Sequence, residues 1–288
     1  MANDQQSAAR FSDAERGTQP EERGVSTAPF QPSHGPAQIG GAAASSPAPV
    51  ATAGQRSSQP YRAVIFYLEH QGHRRAGYSD AEARNLVQLI RLYIHNFKKE
   101  YQQVYRSSFQ QTYGRVYDPF DVRPFNSFAE LLAHRPKPRE KWQDIMIITH
   151  GPGVLPLGLT PFIWLGDKEY FVGGSTNDLL DAMNENLAAT VAFQRGFAPE
   201  SSLRVIACGP GSSTPDLAIY LRELFGVEGA VSLPKVFVDF DTAGRLGTPV
   251  EGGKLRPLRP DEWLVIDPKG LEYPSSAFPQ PEPAAVSP

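Results

Sequence analysis

The chain has 288 residues and a formal charge of −3, so it has no global basic field and nucleic acid is not an expected partner. Its single cysteine, Cys208, excludes an internal disulfide framework and any metal site built from several cysteines. No apolar run of about 18 residues occurs, so no membrane span is expected. The first residues, Met1–Ser7, lack the basic region and apolar core of a secretory signal, which points to the cytoplasm.

Residues 1–60 hold only five of Leu, Ile, Val and Phe together, seven prolines and an Ala/Ser/Gly-rich stretch at Gly40–Ala53. Such a segment cannot bury enough apolar surface to offset its ordering entropy, and a disordered tail is expected there. Residues 274–288, with five prolines, read the same way. Between the tails, residues 61–273 suit one domain with a sizeable core.

Ala63–Leu68 is a continuous apolar run, the pattern of a strand buried on both faces. Ser79 and Glu82 form a capping box, and Ala83, Leu86, Val87, Ile90, Ile94 and Phe97 then fall on one helical stripe. His95 lies at the edge of that stripe, as a surface residue. Residues 101–126 are rich in Tyr, Phe and Gln and carry no clear period. A short helix is predicted at Phe128–His134, stopped by Pro136 and Pro138.

A second buried strand at Ile145–Thr149 ends abruptly at His150, Gly151, Pro152 and Gly153. Gly166 and Asp167 join Phe162–Leu165 to Glu169–Val172 in an expected hairpin. A helix capped by Ser175 should carry Leu179, Leu180, Met183, Leu187 and Val191 and stop at Gly196. Leu203–Ala207 is a third buried strand and delivers Cys208, Gly209, Pro210 and Gly211. Thr214, Pro215 and Gly226 punctuate the next helix. Further strands are expected at Gly229–Ser232 and Val236–Phe240. Trp263–Ile266, before Asp267–Gly270, suggests a late hairpin or edge strand.

Alternating strands and helices predict an α/β fold: three layers, α-β-α, around a mainly parallel central sheet. Ligands of such sheets bind beyond the carboxyl ends of the strands, which is where His150 and Cys208 both fall. A thiol becomes a nucleophile when an imidazole takes its proton. All six histidines (34, 70, 73, 95, 134 and 150) precede Cys208, which removes the nucleophile-then-histidine chain orders. Only His150 leaves a predicted buried strand. Gly151 lets the backbone turn and keeps its amide open, so the amides of Gly151 and Cys208 can form an oxyanion hole. Gly209 and Gly211 would keep the floor beside the thiol open. The helix after Pro215 points its N-terminus at the loop, which would favour a thiolate. Against this stands the plain reading of Cys208 as a small core hydrophobe.

A strand running into Thr149-His150-Gly151, followed by a strand running into Ala207-Cys208-Gly209-Pro210-Gly211-Ser212, resembles the caspase-fold cysteine peptidases. That group includes caspases, legumain, gingipains and self-processing domains of bacterial toxins. The similarity covers about residues 144–240. The caspase Gln-Ala-Cys-Arg-Gly pattern is absent, since Ile206 and Gly209 flank Ala207-Cys208. The resemblance implies Cys208 as nucleophile, His150 as general acid/base and the amides of Gly151 and Cys208 as oxyanion donors.

Other signals carry less. His70 and His73 form a His-x-x-His pair read as solvated, and no metal or cofactor is expected. Lys98, Lys99 and the basic stretch Arg135–Lys141 read as solvated faces, with an anionic activator as the alternative. Asp239 and Asp241 read as strand terminators, with a pocket for basic side chains as the alternative. Val154–Thr160 or residues 101–126 are candidates for a lid. The expected activity is peptide-bond hydrolysis on a protein or peptide substrate. Alternatives are a pseudoenzyme that binds a partner protein and an acyltransferase or hydrolase acting on a non-peptide ester. The Ser/Ala/Pro/Gln-rich composition of residues 1–60 also resembles leaders of bacterial effectors delivered directly into host cells.

Overall fold

A computed structural model describes residues 62–113, 118–151, 162–172, 177–208, 216–250, 254–266 and 272–274. Residues 1–60, and 275–288 of the expected C-terminal tail, lie outside that set. So do Ser175, Gly209, Gly211, Pro215 and the candidate lid Val154–Thr160.

In chain order the elements are strand β1 (Ala63–Leu68), helix α1 (His70–Arg75), helix α2 (Asp80–Tyr113), strand β2 (Phe120–Phe125), helix α3 (Phe128–Ala133) and strand β3 (Trp142–Ile148). The short strands β4 (Phe162–Trp164) and β5 (Glu169–Phe171) precede helices α4 (Asp178–Glu185) and α5 (Leu187–Gln194). Strand β6 (Phe197–Ile206), helix α6 (Asp216–Phe225) and strands β7 (Val231–Pro234), β8 (Asp239–Phe240) and β9 (Leu246–Val250) follow. Strands β10 (Lys254–Arg256), β11 (Trp263–Ile266) and β12 (Glu272–Pro274) close the described chain.

Seven strands form the central sheet in the order β12-β11-β7-β6-β3-β1-β2. The five from β7 to β2 are mutually parallel, and β11 runs against its neighbours β7 and β12. The apolar run of β1 explains the layering. Val64, Phe66 and Leu68 point into a core shared with α3, α4, α5 and α6. Ala63, Ile65 and Tyr67 point into a second core against α2. A strand whose two faces both meet helices must be apolar throughout, and all six residues of β1 are buried. Phe66 anchors the larger core, within ring-contact distance of Trp142, Phe193, Phe197 and Phe225.

The capping box opens α2 as expected: Glu82 N–H donates to Ser79 Oγ at 3.3 Å and Ser79 N–H to the Glu82 carboxylate at 2.8 Å. His95 is exposed. Residues 101–126, which carried no assignment, contain the end of α2 and the whole of β2. Three sequence expectations are corrected. The single helix over 179–191 is two helices broken at Asn186, where φ −110° and ψ 31° leave the helical range and the side-chain amide donates to the Ala182 carbonyl at 2.9 Å beside the residue's own N–H at 3.1 Å. The strand over Val236–Phe240 reduces to the two residues of β8. Pro274, assigned to the tail, is paired with Leu264 in β12. Among the described residues no helix is long and apolar enough to cross a membrane.

Candidate active site at the carboxyl edge of the sheet

Strands β3 and β6 are parallel neighbours with Ile148 opposite Ile206, and Thr149 N–H donates to the Ile206 carbonyl at 3.0 Å. His150 and Cys208 each lie two residues beyond that pair. They occupy equivalent positions on adjacent strands, which are spaced about 4.8 Å apart. The exits touch backbone to backbone. A Cβ added to Gly151 would stand 2.7 Å from the Cys208 carbonyl oxygen and 3.4 Å from its amide nitrogen. Glycine is required there for close approach, and this brings together the two segments whose amides the sequence assigned to an oxyanion.

The same edge carries two more groups. Beyond β1, the neighbour of β3 on the other side, α1 presents His73, which is 1% exposed. Its Nδ1 lies 2.8 Å from His150 Nε2, with the rings nearly perpendicular at 76°. Beyond β7, the neighbour of β6, the Val238 carbonyl accepts the Cys208 thiol at 3.2 Å. The order His73, His150, Cys208, Val238 therefore repeats the order β1, β3, β6, β7 in the sheet. Tyr78, 38% exposed, stacks on the His150 ring at 5.0 Å between centroids and 13° between planes.

The histidine side is held by a dense set of bonds. The His150 carbonyl accepts Trp164 N–H at 3.1 Å, and Thr149 Oγ1 donates to the Trp164 carbonyl. The same tryptophan donates Nε1–H to the Gly72 carbonyl at 3.2 Å, one residue before His73. Asn126 Oδ1 accepts Gly72 N–H at 3.1 Å, and Glu69 caps α1 through His70 N–H at 3.3 Å. The hairpin β4–β5, predicted from Gly166 and Asp167, thus fixes both histidines. At Gly166, φ is +98° and a Cβ would meet the Asn126 backbone at 2.5 Å, so only glycine fits.

Burial sets the charge states. It pushes His150 down to about 3, helped by the neighbouring His73, and His73 down to about 4. It pushes the Cys208 thiol up to about 11 despite the hydrogen bond to Val238. At neutral pH the pair is a neutral thiol and a neutral imidazole, so the thiolate expected from the helix after Pro215 is not the resting form. Tyr78 is raised to about 12 by burial, with the charges of Cys208 and Asp239 adding to the effect.

The remaining candidates separate. His70 and His73 turn to different partners: His70 Nε2 lies 3.0 Å from Asp80, while His73 meets His150. Reading that pair as solvated missed His73; its place five residues beyond a buried strand was the available signal. Asp241 closes the turn between β8 and β9, accepting from the amides of Ala243 and Arg245 at 2.9 Å each. Asp239 caps the Phe240 amide at 2.7 Å and lies close enough to Cys208 for its charge to raise the thiol further. Lys98 pairs with Asp118 at 2.6 Å. A comparison of the sequence with models of known protein families finds no match, and a comparison with curated proteins finds none.

Proposed function

We propose that the chain is a cysteine peptidase of the caspase-fold type, with Cys208 as nucleophile and His150 as general acid/base. The observation that carries this reading is the shared register of the two residues at the carboxyl edge of neighbouring parallel strands, with Gly151 packed on the Cys208 backbone. The chain order of a His-Gly exit before an Ala-Cys exit adds the resemblance to that group.

In the proposed reaction the Cys208 Sγ proton passes to His150 as sulfur attacks the scissile carbonyl carbon. The new C–S bond leaves an oxyanion, received by the amides of Gly151 and Cys208. The imidazolium then returns its proton to the departing amine as the C–N bond breaks, leaving an acyl-thioester. Water, deprotonated by His150, attacks that thioester and releases the acid and the thiol. Because the resting pair is neutral, proton transfer belongs to the attack step and requires the substrate in place.

A broad peptide-library cleavage assay tests the proposal, with Cys208→Ala and His150→Ala as controls. Cleavage that depends on both residues supports it, and cleavage unchanged in Cys208→Ala ends it. A second reading is favoured by the raised thiol and its bond to Val238: a caspase-like pseudoenzyme that only binds a partner protein. No cleavage of any library peptide by the folded chain would select that reading. The proposal extends to action inside a host cell, supported by the composition of residues 1–60. Retention in the producing cell under secretion-inducing conditions would overturn that part.

A further inference from the structure

We infer that His73 is the positioning residue of the site: its Nδ1 accepts the Nε2–H of His150 and leaves His150 Nδ1 as the only nitrogen able to take the Cys208 proton. The inference rests on the peptidase reading above. Its geometry is independent of that reading, because the 2.8 Å contact joins the buried His73 ring to the half-buried His150 ring beyond adjacent strands.

A hydrogen bond between two neutral imidazoles demands complementary tautomers, one nitrogen donating and the other accepting. If His73 donated, the Nε2 lone pair of His150 would be consumed and its Nδ1 would carry the proton, leaving no base for the thiol. Only the opposite arrangement yields a working general base. With Nε2 engaged by His73 in either arrangement, Nδ1 is the nitrogen available to Cys208.

The surroundings make the arrangement rigid. Gly72 and Trp164 tie α1 to the His150 backbone, and Tyr78 stacks on the His150 ring while meeting His73 edge-on at 6.1 Å. Tilting the His150 ring out of its plane would break the Tyr78 stack, and turning it over within that plane would break the His73 bond. When the Cys208 proton arrives at Nδ1, the Nε2–H stays donated to His73, which itself takes no proton. A neutral partner orients the imidazole without lending it negative charge. This differs from an aspartate in the same position, which also stabilises the imidazolium.

The test is nitrogen-15 NMR of the histidine side chains in the full-length chain, with His150→Ala used to assign the His150 signals. The expected result is one tautomer for His150, with Nε2 protonated and Nδ1 bare. A mixture of tautomers, or a bare Nε2, would overturn the inference without bearing on whether Cys208 cleaves peptides. The second measurement is peptide cleavage by His73→Phe, which keeps a ring but removes the acceptor, and by His73→Asn, which returns an acceptor near the Nδ1 position. Expected is a loss on the order of 100-fold in kcat for His73→Phe with KM nearly unchanged, and recovery to within about 10-fold for His73→Asn. Equal losses in both variants, or a loss confined to KM, would contradict a positioning role. Should His73→Phe fail to fold, the wild-type tautomer measurement still decides the question. Cleavage that survives Cys208→Ala would instead defeat the peptidase reading and leave the tautomer result standing.

Discussion

The two halves of the site are held in different ways. His150 is fixed through its carbonyl, its neighbour Thr149, its ring nitrogen and the Tyr78 stack, all referred to one hairpin and one short helix. Cys208, one strand away, is held among the described residues by the hydrogen bond from its thiol to the Val238 carbonyl. In the proposed reaction the base would be oriented in advance, while the nucleophile would have to give up its bond to Val238 to react. Orientation of a general base reduces the entropy lost at the attack step, whereas a half-buried neutral thiol keeps the resting site inert.

The comparison breaks most completely if Cys208 is not the nucleophile. Cys208→Ala should lower peptide cleavage by roughly 10⁴-fold or more, read as kcat/KM on a responsive peptide. The next effect belongs to the histidine half. Both imidazoles have folded values below the ordinary 6.5, so their contribution to stability is complete above that value. It is lost as pH falls and the unfolded chain takes up protons that the folded chain refuses. From pH 7 to pH 5 the loss is up to about 2 kcal/mol per histidine. Chemical unfolding at the two pH values should show it, and His73→Asn should remove about half. A stability that rises between pH 7 and pH 5 would contradict a buried neutral pair.

The cysteine half gives a smaller signal. With its thiol raised to about 11 from 9.0, Cys208 should alkylate roughly 100-fold more slowly than a free cysteine at neutral pH and speed up tenfold per pH unit. A fast rate, flat from pH 6 to pH 9, would mean a preformed thiolate–imidazolium pair and erase the contrast between the halves. The smallest effect is Trp164→Phe, which removes the Nε1–H bond to Gly72 and should cost about 1 kcal/mol in denaturant unfolding. Its sharper readout is the His150 tautomer ratio, which should begin to mix as α1 loosens.

Much of the frame was legible before the structure because its signals are local. The apolar run of β1, the Ser79/Glu82 box and the Gly166 turn each depend on a few adjacent residues, and each appears where the pattern placed it. Strand β2 was not legible. Pro124 inside it argues against a central strand, and it survives because β2 lies at the sheet edge, where one side of the backbone needs no partner. The break at Asn186 was hidden by the apolar stripe that continues through Leu187 and Val191, although Leu187 proves 59% exposed. Of the site, His150, Gly151 and Cys208 were named from abrupt strand exits, whereas His73 and Tyr78 were not.

Residue spacing alone dictates the alternation of elements and the chain order of histidine before cysteine, since both run along one dimension. Which strands lie side by side emerges in the assembled sheet. That lateral order sets His73 beside His150 and Cys208 between His150 and Val238, because groups far apart in the chain meet only through strand pairing and helix packing. Burial, which holds the imidazoles neutral and the thiol protonated, is likewise a property of the assembled layers.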